Sequence, residues 1–85
     1  MRKKHRETLA AIFRHPTPSD IRWQDAMALL QACGAEIEER GGSMTAVLLN
    51  DELILLHRPH PGNEIDKGAV ASLRRFLGQV GIGPT

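Results

Sequence analysis

Histidines and cations gather in one short stretch between the middle of the chain and its C-terminus. His57 and His60 could each take or give a proton near neutral pH, as general acid–base catalysis requires. Arg58 and Lys67 could balance negative charge that develops at phosphorus. Together the four side chains have the chemistry for cleaving a phosphodiester without a metal. The alternative is structural, in which His57 closes a strand and packs its ring on Met44.

Three polar positions are suited to holding a phosphate group. Asn63 and Lys67 flank the predicted start of the last helix, where free N–H groups and the helix dipole attract anions. Ser43 follows two glycines, and its hydroxyl could bond phosphate. We do not expect Ser43 to be a nucleophile, because no elbow signature surrounds it. An ordinary capped helix and an ordinary glycine turn are the structural alternatives.

Neither a metal site nor another cofactor is expected. His57 and His60 are three residues apart, so on a strand their side chains would point to opposite faces, and no third ligand is nearby. Cys33 is the only cysteine, which excludes an intramolecular disulfide and a four-cysteine zinc site.

Length and composition indicate a single globular domain over residues 1–85, with 41% apolar and 25% charged residues. No apolar run approaches the roughly 20 residues of a membrane span, and no signal-peptide core follows the basic N-terminus. We therefore expect a cytoplasmic protein without membrane contact.

Residues 1–15 carry a net charge of +4 and the rest −3. The basic segment could meet phosphate or an acidic partner, or be a solvated helix face.

The spacing of apolar residues predicts two helices, three strands and a final helix. Apolar residues recur at helical spacing over residues 4–14, 23–33 and 65–80. Between them, residues 35–39 alternate with a period of two, which predicts a half-exposed strand. Two apolar runs follow, residues 44–49 and 52–58, with breaks at Gly41-Gly42 and Asn50-Asp51. The order α-α-β-β-β-α predicts an α+β fold, a small sheet with helices on one face and an additional N-terminal helix.

Residue types near the helix N-termini predict which side chains accept hydrogen bonds from the free backbone N–H groups there. Ser19 or Asp20 is expected to cap the second helix, because both side chains can accept from its first N–H groups. Asn63 or Asp66 is expected to cap the third helix for the same reason. Arg74 lies off the apolar stripe of that last helix, so we expect it to face solvent.

The break at Asn50-Asp51 predicts a tight hairpin, because both residues tolerate positive φ. Counting back from this turn places Val47 opposite Ile54 and Met44 opposite His57, with Cβ atoms roughly 5 Å apart. Both faces of the hairpin are then apolar, and the two larger helices can cover only one. The N-terminal helix, a second copy or a partner protein must cover the other face. Of these we favour the N-terminal helix or a partner.

Three motifs follow one another between residues 21 and 82: LLQACGAEIEERGGS, RPHPGNEIDKG and FLGQVGI. In their order and spacing, the chain resembles the HicA-type toxins of bacterial toxin–antitoxin pairs. The resemblance implies a fold like a double-stranded-RNA-binding domain, with a three-stranded antiparallel sheet and helices packed on one face. It further implies mRNA as the bound molecule, often cleaved to block translation. It also implies a HicB-type antitoxin as protein partner. The basic helix and proline-rich linker of residues 1–18 lie outside this 21–82 core.

The resemblance also implies a key histidine directly after the Gly-Ser of the second strand, where this chain has Met44. A thioether cannot exchange protons near neutral pH. One interpretation is an endoribonuclease in which His57 and His60 do this work from across the hairpin. The others are a protein that binds RNA without cutting it, and a module that keeps only its antitoxin-like partner.

Overall fold

A computed structural model describes residues 1–84 of the chain. Helices and strands follow one another in the predicted order, which confirms the α+β class. The helices are α1 (Lys3–Ile12), α2 (Trp23–Ala32) and α3 (Lys67–Gln79), and the strands are β1 (Glu36–Arg40), β2 (Met44–Leu49) and β3 (Glu52–His57). The sheet is antiparallel in the order β1-β2-β3, so β1 and β3 are its edges. No helix within the described residues has the length and apolarity to cross a bilayer.

The β2–β3 hairpin has the predicted turn and register. Asn50 and Asp51 adopt φ of 51° and 65°, the left-handed conformation that a two-residue hairpin turn requires. Val47 pairs with Ile54 and Met44 pairs with His57. The register prediction is therefore confirmed. It could be made from the sequence because the length of the turn, a local property, fixes the register of a hairpin.

Strand β1 adds to the other side of β2 after the turn at Gly41-Gly42. Ile37 pairs with Val47, which places both on the face of the sheet that the helices cover. Glu38 pairs with Ala46 on the opposite face. The predicted alternation along β1 is therefore confirmed, and its charged residues reach solvent.

Helices α2 and α3 cover one face of the sheet, and the core lies between them. The sheet contributes Val47, Leu49 and Leu56, and the helices contribute Leu30 and Leu73, all of them buried. Each of these contacts removes apolar surface from water, which is the main favourable term in the folding of so small a domain. The predicted packing of helices on one sheet face is thus confirmed.

The start of α2 differs from the prediction. Neither Ser19 nor Asp20 caps it; the helix begins after Arg22, which makes no side-chain capping bond. Instead the N–H of Trp23 donates to the carbonyl oxygen of Asn63 at 2.7 Å. A bond from a distant loop therefore satisfies an N–H that a local side chain was expected to satisfy. At α3 the prediction is right, because the N-cap Asp66 accepts from the third helical N–H at 2.7 Å.

Helix α1 packs against α2 and α3 instead of the sheet. Its buried residues include Leu9 and the fully buried Ile12. Arg74 of α3 holds its C-terminal end, with the guanidinium donating to the carbonyl oxygens of Ile12 (2.8 Å) and Arg14 (3.2 Å) and to the Thr17 hydroxyl (3.1 Å). The expectation that Arg74 faces solvent was wrong, because these backbone acceptors come from the other end of the chain.

The second face of the sheet, here called the open face, stays uncovered in the described residues. It carries the apolar side chains of Met44, Ala46, Leu48, Leu53 and Leu55, together with His57 and the charged residues Glu36, Glu38 and Arg40. Leu53 and Leu55 are 51% and 49% exposed. The expectation that the N-terminal helix covers this face was wrong, because α1 buries its apolar stripe against the other helices.

Candidate functional site

The open end of the hairpin, remote from its turn, positions the first candidate residues. His57 is the last residue of β3 and stands directly across from Met44. The pairing extends one step further, where the N–H of Arg58 donates to the carbonyl oxygen of Ser43 at 2.8 Å. Ser43 has a φ of 66°, so the chain bends sharply as it enters β2. Backbone pairing therefore fixes where His57 and Arg58 lie.

The loop that follows β3 is fixed at the same end of the sheet. Ile65 is buried at 2% exposure, and its N–H donates to the carbonyl oxygen of Ile21 at 2.8 Å. Glu64 forms an isolated antiparallel bridge with Arg22. Together with the bond from Trp23 described above, these contacts tie the loop to the segment that enters α2. The loop therefore holds its side chains in a defined position beside the hairpin.

A shallow depression of about 370 Å³ forms between the hairpin end and this loop. Its lining residues are His57, Arg58, Pro59, His60, Gly62, Glu64 and Asp66. The fold thus brings together three of the predicted site residues, namely the two histidines and Arg58. It does not bring Ser43, Asn63 or Lys67 into the lining of the same depression.

Arg58 is already paired with a carboxylate. Its guanidinium donates to Glu39 Oε2 at 2.5 Å, and both side chains are about half exposed. The other oxygen of the same carboxylate, Glu39 Oε1, accepts from the buried Thr45 hydroxyl at 3.1 Å. Glu39 therefore fixes the direction of Arg58 and balances its charge. An incoming phosphate must compete with this carboxylate for the guanidinium.

Two more carboxylates, those of Glu64 and Asp66, line the depression. With both histidines neutral, negative charge therefore outweighs the single, already paired guanidinium. The arrangement therefore places two imidazoles beside carboxylates that oppose the binding of an anion.

The remaining predicted anion ligands lie around the start of α3. Asn63 and Lys67 are both exposed there. The carboxylate of Asp66 occupies the N–H of Ala69, one of the free donors on which the predicted anion site depended. Ser43 is exposed at the entry to β2, where its carbonyl oxygen rather than its hydroxyl makes the bond to Arg58.

Sequence reasoning missed the carboxylates of this site. No role in the site was predicted for Glu39, which alternation along β1 places on the side of the sheet away from Glu38. Its pairing position opposite Thr45 follows only from the β1–β2 register. The neighbours of Glu64 in the sequence do not indicate that it belongs to the site. It reaches the depression because its loop folds back onto Arg22.

The fold half-buries the lone cysteine, Cys33. Burial raises the pKa of the Cys33 thiol above its ordinary value, which keeps it protonated and weakly nucleophilic at neutral pH. Within residues 1–84, no three histidine, cysteine, aspartate or glutamate side chains are grouped so as to hold a metal ion.

Comparison with known proteins assigns the chain to a family. A family model described as HicA toxin of bacterial toxin-antitoxin matches residues 23–82, which include the whole sheet, α2, α3 and the depression. No curated protein and no solved structure matches the chain. Helix α1 and the proline-rich linker precede the matched region. Since the match covers most of its length, the chain belongs to the HicA toxin family of bacterial toxin–antitoxin systems.

Proposed function

We propose that this protein is an mRNA-binding toxin of the HicA type whose RNA site is the depression at the hairpin end. The observation that supports this is the pairing of His57 with Met44, at the position where the family resemblance implies a histidine. An imidazole is thus available directly across the ladder from the residue that lacks one. His60 and Arg58 line the same depression and supply a second imidazole and a cation.

The proposed reaction is cleavage of the RNA backbone by its own 2′-hydroxyl. One imidazole takes the 2′-OH proton while that oxygen attacks the neighbouring phosphorus. The bond from phosphorus to the 5′-oxygen breaks, and the second, protonated imidazole gives its proton to the leaving oxygen. The products are a 2′,3′-cyclic phosphate and a 5′-hydroxyl. Arg58 stabilises the extra negative charge on the phosphorane, once phosphate has displaced Glu39.

The proposed partner is a HicB-type antitoxin, in keeping with the toxin–antitoxin family to which the chain belongs. An antitoxin that covers the depression would neutralise the toxin by excluding RNA. Because mRNA is the proposed substrate, we place this activity in the cytoplasm.

A second candidate is a module that binds RNA or an antitoxin-like protein without catalysis. Two observations favour it: Met44 occupies the implied histidine position, and Glu64 and Asp66 line the depression. Carboxylates at this place oppose phosphate binding at neutral pH. The two candidates differ in whether RNA is broken, so they can be separated by one experiment.

The experiment is induced expression in bacteria that lack the antitoxin, with growth and mRNA integrity followed over time. The variants are His57→Ala/His60→Ala and, as a matched control, His15→Ala, which removes an exposed histidine outside the site. A ribonuclease predicts growth arrest and new 2′,3′-cyclic phosphate ends with the wild type and the control, and neither with the double variant. Intact mRNA with soluble wild-type protein would establish the binding module instead. If the double variant still cleaves RNA, catalysis takes place elsewhere and does not need His57 or His60.

A further inference from the structure

The two edges of the sheet differ in chemistry. Four of the five residues of β1 are charged, which protects that edge from pairing with another strand. Strand β3 has the sequence ELILLH, with four successive apolar residues from Leu53 to Leu56. Within residues 1–84 it pairs with β2 alone, so no strand among them lies on its other edge. An unprotected apolar edge strand is a template for an additional strand.

Exposed apolar surface concentrates on the same strand. Leu53 and Leu55 are about half exposed, and the third large exposed apolar residue among those described, Met1, lies far away in sequence. Both leucines point from β3 onto the open face, beside the outward-facing residues of β2. A strand added at β3 would extend this apolar strip and cover part of it.

The charges at the two ends of β3 are opposite in sign. Asp51 and Glu52 stand at its start, and His57 stands at its end next to Arg58, whose guanidinium is also paired with Glu39 of β1. An antiparallel copy of the same strand brings the acidic start of each strand beside the basic end of the other, whereas a parallel copy brings like charges together. The strand is therefore complementary to itself in one direction only.

We propose that β3 pairs antiparallel with β3 of a second copy, so that two chains form one six-stranded sheet. Side chains must keep to their faces, which excludes a register shifted by one residue. Of the registers that remain, we propose the one centred on Ile54, which places Leu53 beside Leu55 of the second copy and Asp51 beside His57 of the second copy. The leucines then form one apolar strip across the dimer. This inference goes beyond the proposed function and does not depend on RNA binding.

The interface is small. Six residues from each chain bury less surface than the roughly 800 Å² per partner of a standard stable interface. We therefore expect a dimer that forms and dissociates with concentration. This expectation sets the concentration range of the test.

The first test is sedimentation equilibrium of the full chain over concentrations up to about 1 mM. The wild type should approach twice its monomer mass of 9.4 kDa as the concentration rises. Leu53→Lys/Leu55→Lys should remain monomeric, because edge lysines block strand pairing. Glu36→Gln/Glu38→Gln makes the same change in net charge on the same face at the other edge, and it should dimerise like the wild type.

Amide hydrogen exchange of the wild type provides a second test that needs no variant. Exchange in β3 should slow as the concentration rises, while exchange in β1 should not change. A wild type that stays monomeric throughout the range would overturn the proposal, as would a dimer whose protection appears at β1 or α1. A third result would also overturn the proposal: the wild type stays monomeric, and the Leu53→Lys/Leu55→Lys variant no longer binds the antitoxin. This edge would then be the binding site of the antitoxin.

Discussion

Met44 and His57 occupy paired positions in the β2–β3 ladder, with both side chains on the open face. Opposed residues of an antiparallel pair have Cβ atoms about 5 Å apart, so two side chains at these positions reach nearly the same space. A functional imidazole on one strand can therefore be replaced by one on the other with only a small change in the position of its ring. This relationship makes the loss of a histidine at position 44 compatible with retained chemistry.

Exchanging the two side chains tests this relationship directly. We expect His57→Met to lower RNA cleavage at least 100-fold, the usual contribution of a positioned acid or base. The double variant Met44→His/His57→Met returns an imidazole to the same region from the opposite strand. It should recover most of the lost rate in a cleavage assay with purified protein. The exchange keeps the composition unchanged, and thermal unfolding serves as the control for folding.

If the double variant is as inactive as His57→Met while both are folded, the two positions are not equivalent. If His57→Met cleaves RNA like the wild type, His57 has no part in catalysis. In the second case His60 would remain the histidine of the depression to be tested.

The ion pair between Arg58 and Glu39 predicts a gain of binding on mutation. Glu39→Gln removes the charge that competes with phosphate, while its amide oxygen can still accept from Thr45. We expect RNA affinity to rise about two- to fivefold, in line with the roughly 0–1 kcal/mol of an exposed ion pair. The slope of log affinity against log salt should steepen by about 0.7 if Arg58 gains one phosphate contact on a single strand.

The matched control is Glu36→Gln, which removes the same charge from the same strand at an exposed position. It should change affinity less than Glu39→Gln. Equal gains from both variants would mean that only the general charge of the strand matters. A loss of affinity with Glu39→Gln would mean that Glu39 orients Arg58 for RNA binding and does not compete with phosphate for the guanidinium.

The contacts of Arg74 predict that this residue stabilises the attachment of α1. Arg74→Ala removes three hydrogen bonds to the end of α1 and the linker, so we expect the free energy of unfolding to fall by about 2 kcal/mol. The neighbouring Arg75 is exposed and bonds only to Ser72 of its own helix. Arg75→Ala should change stability by about 0.5 kcal/mol or less. Urea denaturation measures both values, and equal effects would contradict the assignment.

Much of the sheet could be predicted from local features of the sequence. Asn50 and Asp51 accept positive φ, and a two-residue turn at these positions leaves one register, in which Val47 pairs with Ile54. The pairing of Met44 with His57 follows from this register. Such features are predictable because a turn and a two-residue period involve only neighbours in the chain.

The candidate site could be predicted only in part. His57, Arg58 and His60 were identifiable because they lie close together in sequence and carry the relevant chemistry. The contributions of Glu39 and Glu64 depend on the β1–β2 register and on the folding back of the last loop. Neither is a property of nearby residues, and both change the charge that a phosphate would meet.

The sequence by itself determined the order of elements, the hairpin register and the candidate histidines, since periodicity, turn chemistry and residue type are local. Only the tertiary structure decided where α1 packs and which carboxylates surround the histidines. Leu9 and Ile12 could have been buried against the sheet or against the helices, and the acceptors for Arg74 lie about 60 residues away. Such choices depend on which distant surfaces fit together, and no short-range pattern encodes that fit.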